Sequence, residues 1–273
     1  MHRYTSVSIP KPGQGQITED SALAVEGLIA VADGAGGGGV YADRWSAYLL
    51  QCLPREPFTS FAALDNWIGG IWEEFYAEYE QVAKAAGGMV LNKFYDEGAF
   101  STLAAAWVQA DGCRWASYGD SVVFHYRRDT DTLEHSFTRL SDFNKPPWLI
   151  SLQDDLHQEG FRCGAFTLAE DSIVFCTSDA LAHYVLMLYE LTHWEAYEEE
   201  LVEARNAETK NSAFISSAEG WLTAAGKPRD FYRDVLRKLV HCRHHPANFQ
   251  WHLEALLRKH LIALDDYSLA VLA

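Results

Sequence analysis

The sequence predicts an α+β fold built from antiparallel strands and separate blocks of helix, not a repeating βαβ fold. Three observations carry this prediction. Two short apolar runs near the start are joined by a turn pair, two long stretches (61–86 and 181–264) have helical periodicity, and a final apolar run, Tyr267–Leu272, belongs with the first strands. No internal repeat, low-complexity tract or linker interrupts the 273 residues. One domain over 1–273 is therefore expected, with 181–264 as a helical insertion inside it.

The elements follow in order. Ser21–Val25 and Leu28–Ala32 flank Glu26-Gly27, a hairpin signal. The second run ends in Asp33 and the stretch Gly34-Ala35-Gly36-Gly37-Gly38-Gly39. Residues 43–53 read as a helix stopped by Pro54. Phe61–Ala86 is a longer helix, because Trp67, Ile71, Trp72, Phe75 and Tyr79 recur at three- and four-residue spacing, and Gly87-Gly88 closes it. Strands are expected at 101–109, 114–118, 121–126 and 133–137, then a loop at 142–155 centred on Pro146-Pro147. Ser172–Thr177 reads as a buried strand ending in Ser178-Asp179. Helices are expected at 181–207, 228–241 and 246–261, before the last strand.

Charge and cysteine content exclude several classes. With 22 Lys and Arg against 38 Asp and Glu, the net charge is −16, which opposes binding to nucleic acid or an anionic membrane surface through the bulk field. It also opposes anionic substrates unless cations sit at the site. No signal-type run follows the first residues and no run reaches ~18 apolar residues, so a cytoplasmic protein is expected. Five cysteines without a C-x-x-C pair point to reduced thiols. None is followed by Arg six positions on, so the Cys-x5-Arg loop of thiol-based phosphatases is absent.

Carboxylates stand at the strand ends. Glu19-Asp20 precedes the first hairpin strand, Asp33 ends the second, Asp179 follows Ser172–Thr177, and Asp265-Asp266 precedes the last strand. A strand end aims a side chain rigidly. Carboxylates converging on one rim repel unless a divalent cation lies between them, and hard oxygen donors suit Mg²⁺ or Mn²⁺. Any one of these acids alone fits the ordinary preference of Asp and Glu for turns; the ordered set is the informative feature.

In this order the blocks resemble the metal-dependent protein phosphatases of the protein phosphatase 2C (PP2C) type. Thr18-Glu19-Asp20 is similar to N-E-D, and Val31-Ala32-Asp33-Gly34-Ala35-Gly36-Gly37 to V-x-D-G-x-G-G. Phe100-Ser101-Thr102 with Tyr118-Gly119-Asp120-Ser121 is similar to G-S-T…G-D-S. Thr177-Ser178-Asp179 and Asp265-Asp266-Tyr267-Ser268 are similar to S-D-G and D-[DN]-x-[TS].

The resemblance implies a four-layer αββα sandwich with two central antiparallel sheets and a helix-rich insertion before the last strand. It implies two Mg²⁺ or Mn²⁺ ions, bridged by Asp33. Glu19 and the Gly34 carbonyl would complete one, Asp179 and Asp265 the other, with Asp20 in support and Asp120 on a weaker third ion. The implied activity is that of a protein serine/threonine phosphatase, hydrolysing phosphomonoesters by a hydroxide between the two metals. The implied partners are a phosphoserine or phosphothreonine protein and an opposing kinase. Two alternatives stay open: a catalytically silent binding or regulatory module, and a small-molecule phosphatase on the same scaffold.

This chain departs from the family pattern in three places. The family's phosphate-gripping Arg ahead of Glu-Asp is missing, which leaves Lys11 or the remote Arg3 as substitutes. Lys offers a point charge and no bidentate fork. Ala35 stands where some members carry His, and Ala180 stands in place of Gly.

Other motifs read as structural. The glycine run satisfies G-x-G-x-x-G, but no second parallel strand is expected soon after it. His241-Cys242-Arg243-His244-His245 reads as a helix C-terminus before Pro246, not as a zinc site, since it lacks a partner Cys pair. Trp67 to Tyr79 reads as core, and the acids at 195–203 as a solvated helix face. The helical insertion reads as cover for the sheets or as a lid or docking surface. The loop at 141–156 reads as a candidate flap.

Overall fold

A computed structural model describes residues 4–13, 15, 17–37, 39–109, 112–207, 210–224 and 229–273. Two five-stranded antiparallel sheets form its centre. The first has the order β1 (Tyr4–Ile9), β12 (Tyr267–Leu272), β11 (Ser172–Thr177), β7 (Val122–Arg127) and β8 (Thr132–His135). The second has the order β10 (Phe161–Phe166), β6 (Gly112–Tyr118), β5 (Leu103–Gln109), β3 (Leu28–Ala32) and β2 (Ser21–Val25). A short pair, β4 (Phe100–Ser101) with β9 (Ile150–Ser151), lies beside them.

Three apolar clusters define the layers. Between the sheets lie small and branched side chains, among them Ile29, Val31, Ala104, Val123, Val174, Cys176 and Ala270. Outside the second sheet pack α1 (Ala42–Gln51), α2 (Phe61–Ala86) and α3 (Gly88–Asp96), through Trp45, Leu49, Phe75 and Phe94. Outside the first sheet pack α4 (Asp179–Thr192), α5 (Trp194–Asn206), α6 (Lys210–Ala224), α7 (Arg237–Cys242) and α8 (Pro246–Leu257). The result is the expected helix–sheet–sheet–helix sandwich. The insertion covers a sheet: Leu201, Ile215, Leu239 and Leu253 share one cluster with Phe124, Phe175 and Leu269.

Local chemistry explains the elements that match the sequence reading. Two apolar runs and the Glu26-Gly27 turn, with Gly27 at φ +80°, form the β2–β3 hairpin in register Val25 to Leu28. Ser60 caps α2 by accepting the Ala63 N–H at 3.2 Å. The aromatic stripe of α2 is core, with Phe75 stacked on Tyr79 at 4.3 Å and tilted against Trp45 at 4.8 Å. Glu195, Glu198, Glu199 and Glu203 of α5 are exposed, as a solvated face requires.

Several expectations need correction. Gly87 (φ +63°) ends α2 at Ala86 as read from sequence, but it is also the N-cap of α3, a helix with no counterpart in that reading. The 181–207 helix divides at His193 into α4 and α5. Here the Thr192 hydroxyl donates back to the Leu188 carbonyl, a bond that competes with helix continuation. Helix α6, strand β1 and edge strand β10 have no counterpart in the sequence reading. The predicted helix start at Pro228 lies outside the described residues; a π turn, Tyr232–Leu236, leads into α7. The 142–155 loop is partly ordered, by a 3₁₀ turn at Leu140–Asn144 and by β9. Strand β3 has only antiparallel neighbours, which removes the dinucleotide reading.

The histidine-rich segment starts in the last turn of α7, and α8 starts at Pro246, as read from sequence. Cys52, Cys113, Cys163, Cys176 and Cys242 are all free thiols. Among the described residues no helix is long and apolar enough to cross a membrane.

Candidate active site

The rim where the two sheets meet carries the strand-end acids. A cavity of about 230 Å³ is lined by Lys11, Glu19, Asp33, Gly34, Asp120, Asp179 and Asp265, with Gly36, Thr102, Pro147 and Leu149. Asp20 lies behind it, 4% exposed. Lys11, Glu19, Asp20, Asp33, Gly34, Asp120, Asp179 and Asp265 are thus gathered from five separate stretches of chain. Arg3 and Gly38 lie outside the described residues. A larger cavity, about 1020 Å³ beside α2 and β9, contains none of these acids.

Each side chain is held by its own element. Asp33 leaves β3 between fixed partners: its N–H donates to the Thr102 hydroxyl at 3.3 Å, and its carbonyl accepts from the Ser101 hydroxyl at 2.9 Å and the Thr102 N–H at 2.8 Å. Thr102 is tied in turn to the Ser121 hydroxyl at 2.6 Å. The Phe100-Ser101-Thr102 block therefore braces the Asp33 turn. Asp179 opens α4, where its carboxylate accepts the Ala180 N–H and faces the positive helix end. Gly119 (φ +85°) sets up the Asp120 turn, and a Cβ there would stand 2.6 Å from the Trp148 carbonyl. Gly36 leaves room for the Glu19 carboxylate, which a Cβ at Gly36 would overlap.

The β1–β2 connection reaches the rim through Asp266. Its carboxylate, 5% exposed, accepts the N–H groups of Lys11 and Glu19, each at 2.7 Å. That clamp brings the Lys11 ammonium to 2.8 Å from Asp265 Oδ1.

The electrostatics are strained. Burial pushes the Asp20 carboxyl up to about 8, against a Ser178 hydrogen bond that favours its charged form. Asp33 is raised well above the ordinary range by burial and then by the charges of Asp20 and Asp120. Asp179 is raised in the same way by burial, Asp33 and Asp120. Asp120 is raised by burial to about 6, with Arg162 opposing the shift. Glu19 is raised by burial, partly offset by Lys11.

Such a group of acids fits a divalent cation by its chemistry. All side-chain donors are hard oxygens apart from Lys11, mutual repulsion is only partly offset by Lys11 and Arg162, and Asp20 Oδ2 is buried without a hydrogen-bond donor. Among the described residues, however, no three His, Cys, Asp or Glu side chains are drawn together closely enough to form a ready metal cage.

Solved structures share this architecture at low sequence identity. PppA, described as a key regulatory component of T6SS in Pseudomonas aeruginosa, matches at TM-score 0.52 and 17% identity over 99% of this chain and 96% of its own. The Mycobacterium tuberculosis serine/threonine phosphatase PstP/Ppp matches at TM-score 0.51 and 16% identity over 99% and 97%. Serine/threonine phosphatase Stp1 from Staphylococcus aureus matches at TM-score 0.51 and 12% identity over 100% and 95%. The fold is that of the PP2C-type serine/threonine phosphatases. By sequence, no family model and no curated protein matches the chain.

Within this PP2C-type frame, three contributors were not read from sequence. Asp266 holds the Lys11 and Glu19 N–H groups and so positions both. Arg162, on the unread strand β10, donates to the Gly119 carbonyl at 3.0 Å and faces Asp120. Ser178 supports Asp20. A doubled acid before the last strand was the available signal for Asp266; the other two depend on chain pairing.

The Gly36 cradle yields a test. Gly36→Ala is expected to leave thermal stability within about 1 kcal/mol, because the obstructing Glu19 carboxylate is the end of a flexible side chain. Mn²⁺ affinity, measured by calorimetric titration, should fall by about 10-fold or more as Glu19 is displaced. Unchanged affinity would remove Glu19 from the site.

Proposed function

We propose that the chain is a Mg²⁺- or Mn²⁺-dependent phosphoprotein phosphatase acting on phosphoserine or phosphothreonine. The observation that carries this is the shared cavity of Lys11, Glu19, Asp33, Asp120, Asp179 and Asp265 at the sheet rim. Support comes from the fold, and from a neighbour described as the catalytic domain of serine threonine protein phosphatase PstP in complex with 2 manganese ions, at TM-score 0.51 and 18% identity.

In this reading Glu19, Asp33 and the Gly34 carbonyl hold one ion and Asp33, Asp179 and Asp265 the other, with Asp120 on a weaker third. Such ions supply Lewis-acid polarisation of the phosphate and acidify water. The protein's own residues do the rest. Lys11 places a cation where the substrate phosphate enters, in the role of the missing Arg. Asp266 holds Lys11 and Glu19 in position, and the Ser101-Thr102 brace fixes Asp33. Pro147 and Leu149 line one side of the cavity. An opposing kinase and a cytoplasmic setting belong to the same proposal.

The test is hydrolysis of an aryl phosphate with added Mn²⁺. Turnover is expected. Lys11→Ala should raise KM by about tenfold with a smaller fall in kcat, as loss of ground-state phosphate binding requires, and Lys11→Arg should restore it. A second reading rests on the Lys11–Asp265 ion pair, which occupies an oxygen assigned to a metal. A silent regulatory module would bind Mn²⁺ without turnover. Turnover of small phosphorylated metabolites with none of phosphopeptides would move the assignment to a small-molecule phosphatase.

A further inference from the structure

The cavity of about 1020 Å³ beside α2 takes no part in the site described above. One wall is α2 itself. Asp65, Gly69, Trp72 and Tyr76 stand at i, i+4, i+7 and i+11, which is one helix face. That face runs for ~16 Å, the length of about five extended residues. The other wall is the chain at 151–156, pinned at both ends. Gln153 Nε2 donates to the Phe94 carbonyl at 2.6 Å, and the His157 N–H donates to the Tyr118 hydroxyl at 2.9 Å. The Ser151 hydroxyl donates to the Asp154 carboxylate at 2.9 Å and accepts the Asp154 N–H at 3.0 Å. The groove is therefore preformed.

Two of its features do not serve the fold. Gly69 and Gly70 lie in the interior of the 26-residue α2, where Gly is the least favourable residue after Pro. A Cβ at either would meet no atom within 4 Å, and neither has a positive φ. Neither packing within the chain nor backbone conformation calls for them, and both line the groove, where they open the helix to close approach by a ligand. Secondly, the lining carries three carboxylates, Asp65, Asp154 and Asp155, and no Lys, Arg or His. All three acids are exposed, so they are open to a ligand. Rings stand with them: Trp72 and Tyr76, half-buried and edge-to-face at 5.9 Å, and the exposed Tyr95.

We infer that this groove docks an extended, arginine-containing segment of the phosphoprotein substrate. Acids on both walls select a cation. The rings select a guanidinium, whose plane stacks on an aromatic face while its fork pairs with a carboxylate, which an ammonium cannot match. The length of the groove selects a chain over a single small cation. Its place selects the substrate: Leu149 lines the rim cavity and Ser151 the groove, two positions apart in the chain and so within ~7 Å. A basic segment held there offsets the repulsion between a phosphorylated substrate and a chain of charge −16. The inference rests on the phosphatase reading for the identity of the docked chain.

The experiment has two readouts on the full chain with Mn²⁺. Binding of an unphosphorylated Arg-x-Arg peptide is read by fluorescence anisotropy. Hydrolysis is read by phosphate release from phosphothreonine peptides that carry the same segment at graded spacings on either side of the phosphoresidue. At one spacing the Arg segment is expected to lower KM about tenfold relative to Ala, a difference of ~1.4 kcal/mol, with a smaller gain for Lys and none for Glu. Asp65→Asn combined with Asp155→Asn, and separately Gly69→Leu, which fills the groove, should each weaken peptide binding about tenfold and abolish the KM gain. Aryl phosphate turnover should stay unchanged in both. Gly69→Leu should also raise the melting temperature, because Leu is the better helix former, so its loss of binding cannot be misfolding. Peptide binding that survives in both variants would assign the attraction to the bulk charge and overturn the groove. Competition by free arginine as strong as by the peptide would overturn it in favour of a small-molecule site. Phosphopeptide hydrolysis with no Arg preference at any spacing removes the docking alone. Arg binding that the variants abolish, with no hydrolysis of any phosphorylated probe, keeps the groove and removes the phosphatase reading.

Discussion

Asp33→Asn is expected to lower Mn²⁺-dependent aryl phosphate hydrolysis by about 10³-fold, the upper range for loss of one preorganised electrostatic group. Asp33 is deeply engaged with its neighbours: Asp20, Asp120 and Asp265 all oppose its charge. Replacing it with the neutral isostere keeps the backbone bonds to Ser101 and Thr102, because those use the Asp33 main chain. The fold should therefore survive. Removing one of several repelling carboxylates should also raise the melting temperature of the metal-free protein, by a few degrees for ~1 kcal/mol. Activity lost together with a stability gain is the signature of a functional acid. Retained activity, or a collapsed fold, would contradict the role assigned to Asp33.

The second large effect is on stability against pH. The Asp20 carboxyl titrates near 3.9 when unfolded and at about 8 when folded. The folded state therefore holds a proton that the unfolded state has released, and stability falls as pH rises between those values. Asp33, Asp179 and Glu19 shift in the same direction, as does Glu190, which burial raises to about 9. His183 and His252, both lowered by burial to about 4, act oppositely, but only below their unfolded value of ~6.5.

The clean window is thus pH 6.5 to 8. There Asp20 alone would cost roughly 2 kcal/mol, or a fall of ~4–8 °C in the melting temperature of metal-free protein. Because metal ligands must be deprotonated, stabilisation by Mn²⁺ should be larger at pH 8 than at pH 6.5. Thermal scans at both pH values, with Mn²⁺ and with chelator, test this. A metal-free melting temperature that rises across the window would refute the crowding of acids at the rim.

Much of the fold was legible because its signals are local. The Glu26-Gly27 hairpin, the aromatic spacing of α2, and the apolar runs Ser172–Thr177 and Tyr267–Leu272 each declare themselves within a few residues. The missed elements lack such signals. Strand β10 is an edge strand whose Gly164 sits against the Trp115 indole, so its position depends on β6. Helix α3 is hidden because it starts directly after the glycine that stops α2. The division at His193 coincides with the Thr192 back-bond and with His193 contacts to the Tyr189 carbonyl and the distant Asp131.

The sequence by itself determined the ordered acids at strand ends, the glycines beside them, and the surplus of carboxylates over bases. Short-range turn chemistry and strand periodicity set those features. Only the tertiary structure decided that they meet. Pairing β1 with β12 brings residues far apart in the chain together, as in the 2.6 Å contact between the Ser8 and Ser268 hydroxyls. The same pairing lets Asp266 seize the Lys11 and Glu19 amides. It also decided that the insertion covers a sheet. Contacts of that range are set by which sheets stack and which faces bury, and no local pattern specifies them.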